Sequence, residues 1–209
     1  KAESAGTTRS AIGDNATLTM GGATTVHADS NTQQVSSGVG ISVGGLLAVG
    51  ADYSQATSNT LTEATVGNGV KLTGPALSVL ADSSDTNFAH GIAGSGGLVS
   101  APFSEAKTVS TSQTRASTGS GDNVGGDGRK IDVDAFVMRS SYDGLFDAWM
   151  QSTNASLIGV SGAKASNSSS ATTSSTVGAN GYVEADSVSV QASNTVEKGG
   201  PGTANLPGV

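Results

Sequence analysis

The five residues Val26-His27-Ala28-Asp29-Ser30 decide the fold, because the chain repeats them. The motif returns as Val-Leu-Ala-Asp-Ser at 79–83, and more loosely at 137–141 and 190–194. The valines that open the four copies are 53, 58 and 53 residues apart. A period of this size is typical of repeat proteins, in which each repeat buries its apolar face against the next one.

Two further features recur in the same order around this motif. A Gly turn with an Asn precedes every copy, and a Leu follows the opening valine at a nearly constant distance in the first three copies. Gly and Asn tolerate positive φ, so the Gly turns are expected to be tight corners between strands. The turns begin at Gly13, Gly67, Gly121 and Gly178, and the leucines are Leu46, Leu98 and Leu157. The approximate repeats are 11–63, 64–116, 117–175 and a truncated 176–209, within a single segment 1–209.

The stretches between these features have the pattern of strands. Polar and apolar residues alternate with a period of two in Thr17-Leu18-Thr19-Met20 and in Ile131-Asp132-Val133-Asp134. This alternation places successive side chains on opposite faces of a strand. The Thr/Ser-rich tails at 54–65, 107–117 and 166–177 could be flexible linkers. They are assigned as strands instead, because Thr is β-branched and each tail ends on a Gly turn.

The fold prediction is therefore all-β, and more specifically a β-solenoid, a right-handed parallel β-helix of stacked coils built from repeats of about 53 residues. The right hand follows from the general rule for parallel crossover connections. Coils of roughly 18–25 residues are expected, so that each repeat makes two or three of them and the whole chain forms a rod.

Composition excludes several classes of partner. The net charge is −7 and there is no basic run, so nucleic acid and anionic membrane surfaces are poor candidates. The chain has no Cys, hence no disulfide and no thiolate metal site. The uncharged run 30–51 is broken by Gly, Ser, Asn and Gln, and its apolar part is too short for a membrane span.

A nine-residue segment that begins at Tyr142 breaks the repeat pattern and holds the only Trp. Leu145, Phe146, Trp149 and Met150 have the spacing of one helical face, so a helical turn is expected here. One interpretation is an aromatic cluster packed over the repeats. The alternative is an interaction patch formed by Tyr142, Phe146 and Trp149, which would bind a neighbouring subunit or a glycan.

The Gly- and Asp-rich stretch 121–128 has the composition of a calcium-binding turn, with Asp122 and Asp127 as candidate ligands. Calcium-binding turns of this kind act as stacked arrays in which neighbouring coils share each ion, whereas this stretch occurs once. A solvent-exposed turn explains it equally well. No other cofactor is predicted.

Two patterns suggest nucleophilic catalysis and are given a structural interpretation. Gly40-Ile41-Ser42-Val43-Gly44 matches a nucleophile elbow, but the elbow needs a helix after it and a Gly-rich apolar stretch follows. His27 lies near Asp29 and Ser30, which resembles a catalytic triad. However, Leu80 occupies the position of His27 in the second repeat, which indicates a structural position.

A third pattern suggests action on acidic polysaccharides. Asp132 and Asp134 alternate with apolar residues, and Arg129 is close in sequence. Parallel β-helix lyases use surface carboxylates for calcium and a basic residue to abstract a proton. A solvated strand face would carry the same residues.

These repeats resemble the very large repetitive bacterial exoproteins known as filamentous haemagglutinin-like or leukotoxin-like filamentous adhesins. The resemblance implies a β-solenoid stalk that is secreted across the outer membrane and displays adhesive regions or builds surface fibres. It supplies no catalytic residues. The segments that carry it are 11–16, 26–30, 38–45, 63–67 and 79–83.

Three functions follow as hypotheses. The first is a non-catalytic structural module of a secreted surface fibre or adhesin, which continues into further repeats or forms a homo-oligomer through its ends. A glycan or a host surface is the expected external partner. The second is a calcium-organised surface-layer module, and the third is a β-helix enzyme acting on polysaccharides.

Overall fold

The computed structural model describes residues 1–120 and 130–199, in which twelve strands and no helix occur. The all-β prediction is confirmed, and the Thr/Ser-rich tails are strands. The strands are β1 (Ala2–Ile12), β2 (Thr17–Thr19), β3 (Thr24–Val43), β4 (Leu47–Ala48), β5 (Ala51–Val66), β6 (Lys71–Ser100), β7 (Phe103–Ser110), β8 (Gln113–Thr118), β9 (Ile131–Gly159), β10 (Gly162–Ser169), β11 (Thr172–Val177) and β12 (Val183–Lys198).

All described strand pairs are parallel, and the chain alternates between two sheets. The first sheet stacks β1, β5, β7 with β8, and β10 with β11. The second sheet stacks β2 to β4, then β6, β9 and β12. The strands therefore form three complete rows, β2–β5, β6–β8 and β9–β11, with β1 and β12 as half rows at the two ends.

Each residue pairs with one that lies a whole repeat further along the chain. The register offset is 54 between β1 and β5, 59 between β6 and β9, and 52 between β9 and β12. The expectation that each repeat makes two or three short coils is wrong, because one repeat supplies one row of both sheets. Since β6 runs for most of its 30 residues before the path returns, the chain needs the full repeat to come back to its starting point.

The opening motif keeps its register across three rows, with one substitution. Val26 pairs with Val79, Val79 with Met138, and Met138 with Val190. Val137, the expected member of this column, is shifted by one residue, and a shift of one places its side chain on the opposite face. Met138 is buried in its place, whereas Val190 in the last half row is 45% exposed.

The corners predicted from Gly and Asn are present at three of the four positions. Asn15 and Asn180 have φ of 57° and 56°, and Gly69 has φ of 62°. The corners also stack, since the backbone N–H of Asn68 donates to Asp14 Oδ1 at 2.7 Å in the neighbouring row. The corner at Gly121 lies outside the described residues.

The helical turn expected at 145–150 is wrong, because this segment lies within β9 and pairs with β6. A period of two explains it better: Tyr142, Gly144, Phe146 and Ala148 are buried on one side, and the residues between them are less buried. The backbone hydrogen bonds that β6 offers along this stretch make the strand the favoured conformation.

The side chains that fill the space between the two sheets change from apolar to polar and then to alanine along each row. Next to the Gly corners this space is filled by large apolar side chains, and the middle is occupied by hydroxyls, an Asn and an Asp. Beyond them the filling is mainly alanine. The largest apolar members of the first region are Val66, Leu72, Leu77, Val79, Phe136 and Met138.

Candidate functional site

The far end of each row is a thin projection in which two limbs of the chain lie back to back. We call this part the arm and define it as residues 38–54, 91–106 and 150–165 in the three rows. Its limbs approach closely because the inward positions carry Gly or other small residues. A Cβ placed on Gly40 would lie 2.0 Å from the carbonyl oxygen of Ala51, and one on Gly50 would lie 2.3 Å from that of Gly94. The arm therefore has no room for an apolar core of its own.

The Gly-x-Ser-x-Gly pattern at 40–44 has a packing explanation in this arm. A Cβ on Gly44 would lie 2.3 Å from the carbonyl oxygen of Leu47, so both glycines allow the limbs to close. The pattern runs along β3 and into the turn at the tip. The part of the chain that the structure describes contains no helix after it, which a nucleophile elbow requires.

The tip of the arm carries the recurring leucines of the three repeats. Leu46 is 75% exposed, Leu98 is 45% exposed and Leu157 is 81% exposed. Backbone hydrogen bonds hold the rows together here, from the N–H of Leu98 to the carbonyl of Gly45 at 3.3 Å and from that of Val99 to Leu46 at 2.9 Å. The leucines therefore form a column at the surface.

Two more apolar columns lie beside the leucines on the outer face of the return limb. Leu47, Val99 and Ile158 are paired across the rows. Val49 and Val160 follow two positions later in the first and third rows, and both are exposed. We call this surface the ridge and define it by eight residues with exposed fractions of 40–81%: Leu46, Leu47, Val49, Leu98, Val99, Leu157, Ile158 and Val160.

The ridge is large for an exposed apolar surface and carries no charge. Its exposed fractions add up to about five fully exposed aliphatic side chains, on the order of 300–600 Å² of apolar surface. The stretches 46–50, 98–102 and 157–161 contain no Asp, Glu, Lys, Arg or His. Apolar patches of more than a few hundred Å² usually mark interaction sites. The ridge is therefore the candidate functional surface.

The interaction patch expected at Tyr142, Phe146 and Trp149 does not form as a unit. Tyr142 is 0% exposed and Phe146 is 1% exposed, because both face the interior between the sheets. Trp149 is 39% exposed on the outer face, where its ring lies 4.2 Å from the ring of His90 with a tilt of 55°. Only Trp149 of the three can contact a partner without a change in the sheet.

A buried carboxylate ties the two sheets together in the middle of the molecule. Asp85 is 0% exposed and accepts hydrogen bonds from Thr32 Oγ1 at 2.6 Å, Ser112 Oγ at 2.6 Å, Ser110 Oγ at 3.0 Å and the Tyr142 hydroxyl at 3.0 Å. Burial, together with the nearby Asp85 carboxylate, raises the pKa of Tyr142 above its usual range. Because the Asp85 side chain is fully enclosed, this cluster serves as a structural link and not as a substrate site.

A second carboxylate lies between the limbs where the arm joins the body. Burial raises the pKa of Asp52, while the backbone N–H of Tyr53 and the nearby His90 oppose the rise. Its Oδ2 is buried and has no hydrogen-bond partner among the described residues. A Cβ on Gly91 would lie 2.1 Å from this oxygen, so the glycine makes room for the carboxyl group.

His27 does not form the triad that its sequence neighbours suggest. Its Nε2 lies 3.0 Å from Asp82 Oδ2 in the next row, and Asp82 also accepts from Arg139 Nη2 at 3.0 and 3.2 Å. Ser30 falls on the same side of β3 as the buried Ala28, away from His27. His27 and Arg139 both contact Asp82, so the three side chains form a surface ladder across three rows.

One of the two carboxylates considered for polysaccharide chemistry, Asp132, also belongs to a surface ladder. Lys130 Nζ lies 3.1 Å from Asp132 Oδ2 and 2.6 Å from Glu184 Oε2. Hydrogen bonds to Glu184 and then to Asp132 raise the pKa of Lys130 above its usual range. Asp134 is exposed on the same strand, whereas Arg129 lies outside the described residues.

The candidate calcium ligands Asp122 and Asp127 also lie outside the described residues. Within residues 1–120 and 130–199, no group of three or more His, Cys, Asp or Glu side chains is arranged to hold a metal ion.

Sequence reasoning alone does not identify the ridge as a surface, although it does find the recurring leucines. The recurrence of the leucines predicts that they occupy equivalent positions in the three repeats. It does not predict that they are exposed, because a recurring Leu is usually a buried residue. The Gly-rich approach to each Leu is the second signal, because it leaves no interior for the Leu to enter.

No helix in the described part of the chain is long and apolar enough to cross a membrane. No family model matches the sequence, and no curated protein or solved structure is significantly similar to it.

Proposed function

We propose that this chain is a non-catalytic structural module of a secreted bacterial surface fibre or adhesin, built as a right-handed β-solenoid. One observation carries the proposal: each repeat pairs in parallel and in register with the next, over both sheets. Proteins built in this way lengthen simply by adding repeats, because each repeat contacts only its neighbours.

The geometry of the rows favours a very long protein. Parallel strands lie about 4.8 Å apart, so a coil of about 53 residues adds only about 4.8 Å of length. The described rows then span about 15–20 Å, well short of a rod. A useful stalk needs many such repeats, which agrees with the resemblance to the filamentous haemagglutinin-like exoproteins and with secretion to the cell surface.

The two ends of the stack provide the means of continuation. Among the described residues, β3 pairs on one side with β6, and β12 pairs on one side with β9. The other edge of each strand offers backbone groups to a further strand, as unprotected sheet edges do. Further repeats in the same chain or identical subunits would fit these edges, whereas a glycan or host surface would be bound on the sides.

Electron microscopy of the purified chain tests this function. We expect rods or filaments that lengthen with protein concentration, or short rods when extra repeats are fused in the same chain. The mass measured by light scattering should rise in parallel. A compact monomer at all concentrations, with edge amides protected from hydrogen exchange by its own loops, would contradict the proposal.

A further inference from the structure

We propose that the ridge is a lateral interface, through which two copies of this chain pair side by side. The inference goes beyond the proposed function, since end-to-end growth uses the strand edges and the ridge is a different surface. Lateral pairing would hold for single modules as well as for filaments.

The periodicity of the ridge favours a second copy over any other partner. The same three columns of aliphatic side chains run up the rows, which are spaced by the strand separation of about 4.8 Å. A second ridge has the same spacing, so side chains from one copy can fit between those of the other along the full height. A two-fold interface of this kind uses the same patch on both copies.

The ridge is large enough to form the apolar centre of an interface between two copies. About 800 Å² per partner is the size of a standard protein interface. The eight residues of the ridge supply about 300–600 Å² of apolar surface, and the columns beside them add to this area. A larger module with more repeats would add further rows to the same interface.

The surroundings of the ridge have the anatomy of an interface rim. The next column outward on the same face contains Phe103, which is 55% exposed and packs over Gly162. The column after it contains Tyr53, Glu105 and Lys164, with Lys164 Nζ donating to Glu105 Oε1 at 3.1 Å. Interfaces commonly have an apolar core, in which aromatic residues are enriched, and a polar rim that water can reach.

Charge also directs association to this surface. The chain has a net charge of −7, so two copies repel each other in most orientations. The ridge has no charged side chain, which makes it a face on which copies can approach with no like-charge contact. Burial of aliphatic side chains then supplies the free energy of association.

Cross-linking gives a direct test, because the chain contains no Cys. Leu98→Cys places a thiol at the centre of the ridge, and Thr73→Cys places one on an exposed strand position as the control. With a short bis-maleimide at low protein concentration, we expect covalent dimers of the Leu98→Cys variant to form at least 10-fold faster than those of the control. Equal rates would overturn the proposal.

Substitution of the ridge gives a second test with a matched control. The ridge variant is Leu46→Ser, Leu98→Ser and Leu157→Ser. The control variant is Val39→Ser, Ile41→Ser and Val43→Ser, which removes three side chains of 64–84% exposure from the outer face of the opposite limb. In sedimentation equilibrium we expect the dimer Kd to rise at least 100-fold in the ridge variant and less than 3-fold in the control, with strand content unchanged by circular dichroism.

The outcomes separate this inference from the proposed function. Filaments of the ridge variant that keep their length and lose half their width would support lateral pairing, as would dimers of single modules that never form filaments. Equal effects of the two triple variants would show general apolar association and overturn the proposal. Monomers that float with phosphatidylcholine vesicles through the ridge would overturn it in favour of a lipid surface.

Discussion

At the scale of single residues, buried polar groups in the middle of the molecule add to the stability that the large apolar side chains supply. Asp85 receives four hydroxyl hydrogen bonds from three rows, so it links the two sheets and the neighbouring rows at once. A buried carboxylate is costly unless it is fully paired, and this one is.

Removal of this carboxylate should therefore destabilise the fold. We expect Asp85→Ala to lower the free energy of unfolding by about 2–4 kcal/mol, because buried hydroxyls lose their acceptor. Urea unfolding monitored by circular dichroism measures the change. Asp143→Ala, at an exposed position of β9, is the control and should change it by less than about 0.5 kcal/mol. Similar values for both variants would contradict the structural role of Asp85.

The half-buried carboxyl group of Asp52 predicts that stability depends on pH. Because burial raises the pKa of Asp52, the folded chain binds this proton more tightly than the unfolded chain does. Stability contributed by this group is thus present at low pH and is lost as the pH rises from the ordinary value of 3.8 through the raised one. Asp52→Asn should stabilise the fold at pH 7, and the gain should shrink as the pH falls to 4. Thermal unfolding at both pH values checks this, and a gain that is the same at both would contradict it.

At the scale of elements, glycine spacing determines where the molecule is thick and where it is thin. The row of large side chains ends near the middle, and the arm beyond it has Gly, Ala and Ser facing inward. The limbs can then approach until backbone faces backbone. The large aliphatic residues at the tip and on the return limb have no interior to enter, so they point outward and form the ridge.

A single methyl group in the arm should force the limbs apart. Gly40→Ala places its Cβ against the backbone of Ala51, which cannot move aside as a side chain can. We expect a loss of about 1–3 kcal/mol in the free energy of unfolding. Gly45→Ala, at the tip of the same limb, is the control, because nothing lies within 4 Å of its Cβ position. Its free energy of unfolding should stay within about 0.5 kcal/mol of the parent.

At the scale of the whole molecule, the proposed fibre would be heavy for its length, because one repeat supplies one row of both sheets. The chain has a mass of 20.3 kDa over 209 residues, so 53 residues weigh about 5.1 kDa and rise about 4.8 Å. We predict a mass per length of about 1.1 kDa per Å for a single filament and about twice that for a laterally paired one. Scanning transmission electron microscopy measures this quantity. A mass per length two- to three-fold below the single-filament value would mean that each repeat makes several short coils, and it would contradict the register described above.

Sequence reasoning found the strands and their period because both depend on local chemistry. The Gly and Asn corners at Gly13, Gly67 and Gly178 require positive φ nearby, and alternation requires a strand. The number of coils per repeat could not be found in this way, since it depends on how far the chain travels before it pairs with itself. The same limit explains why Met138, and not the expected Val137, continues the column of Val26 and Val79. The register of β9 differs by one residue from the sequence pattern, and this register is set by pairing with β6.

The sequence by itself thus determined that this protein is all-β, repeats with a nearly constant period and turns at its Gly corners, since backbone preferences act within a few residues. Only the tertiary structure decided that Tyr142 and Phe146 face inward while Leu46, Leu98 and Leu157 face solvent. The physical reason is that exposure depends on the distance between two limbs. Inward glycines set that distance, and their partners lie on other strands of the fold.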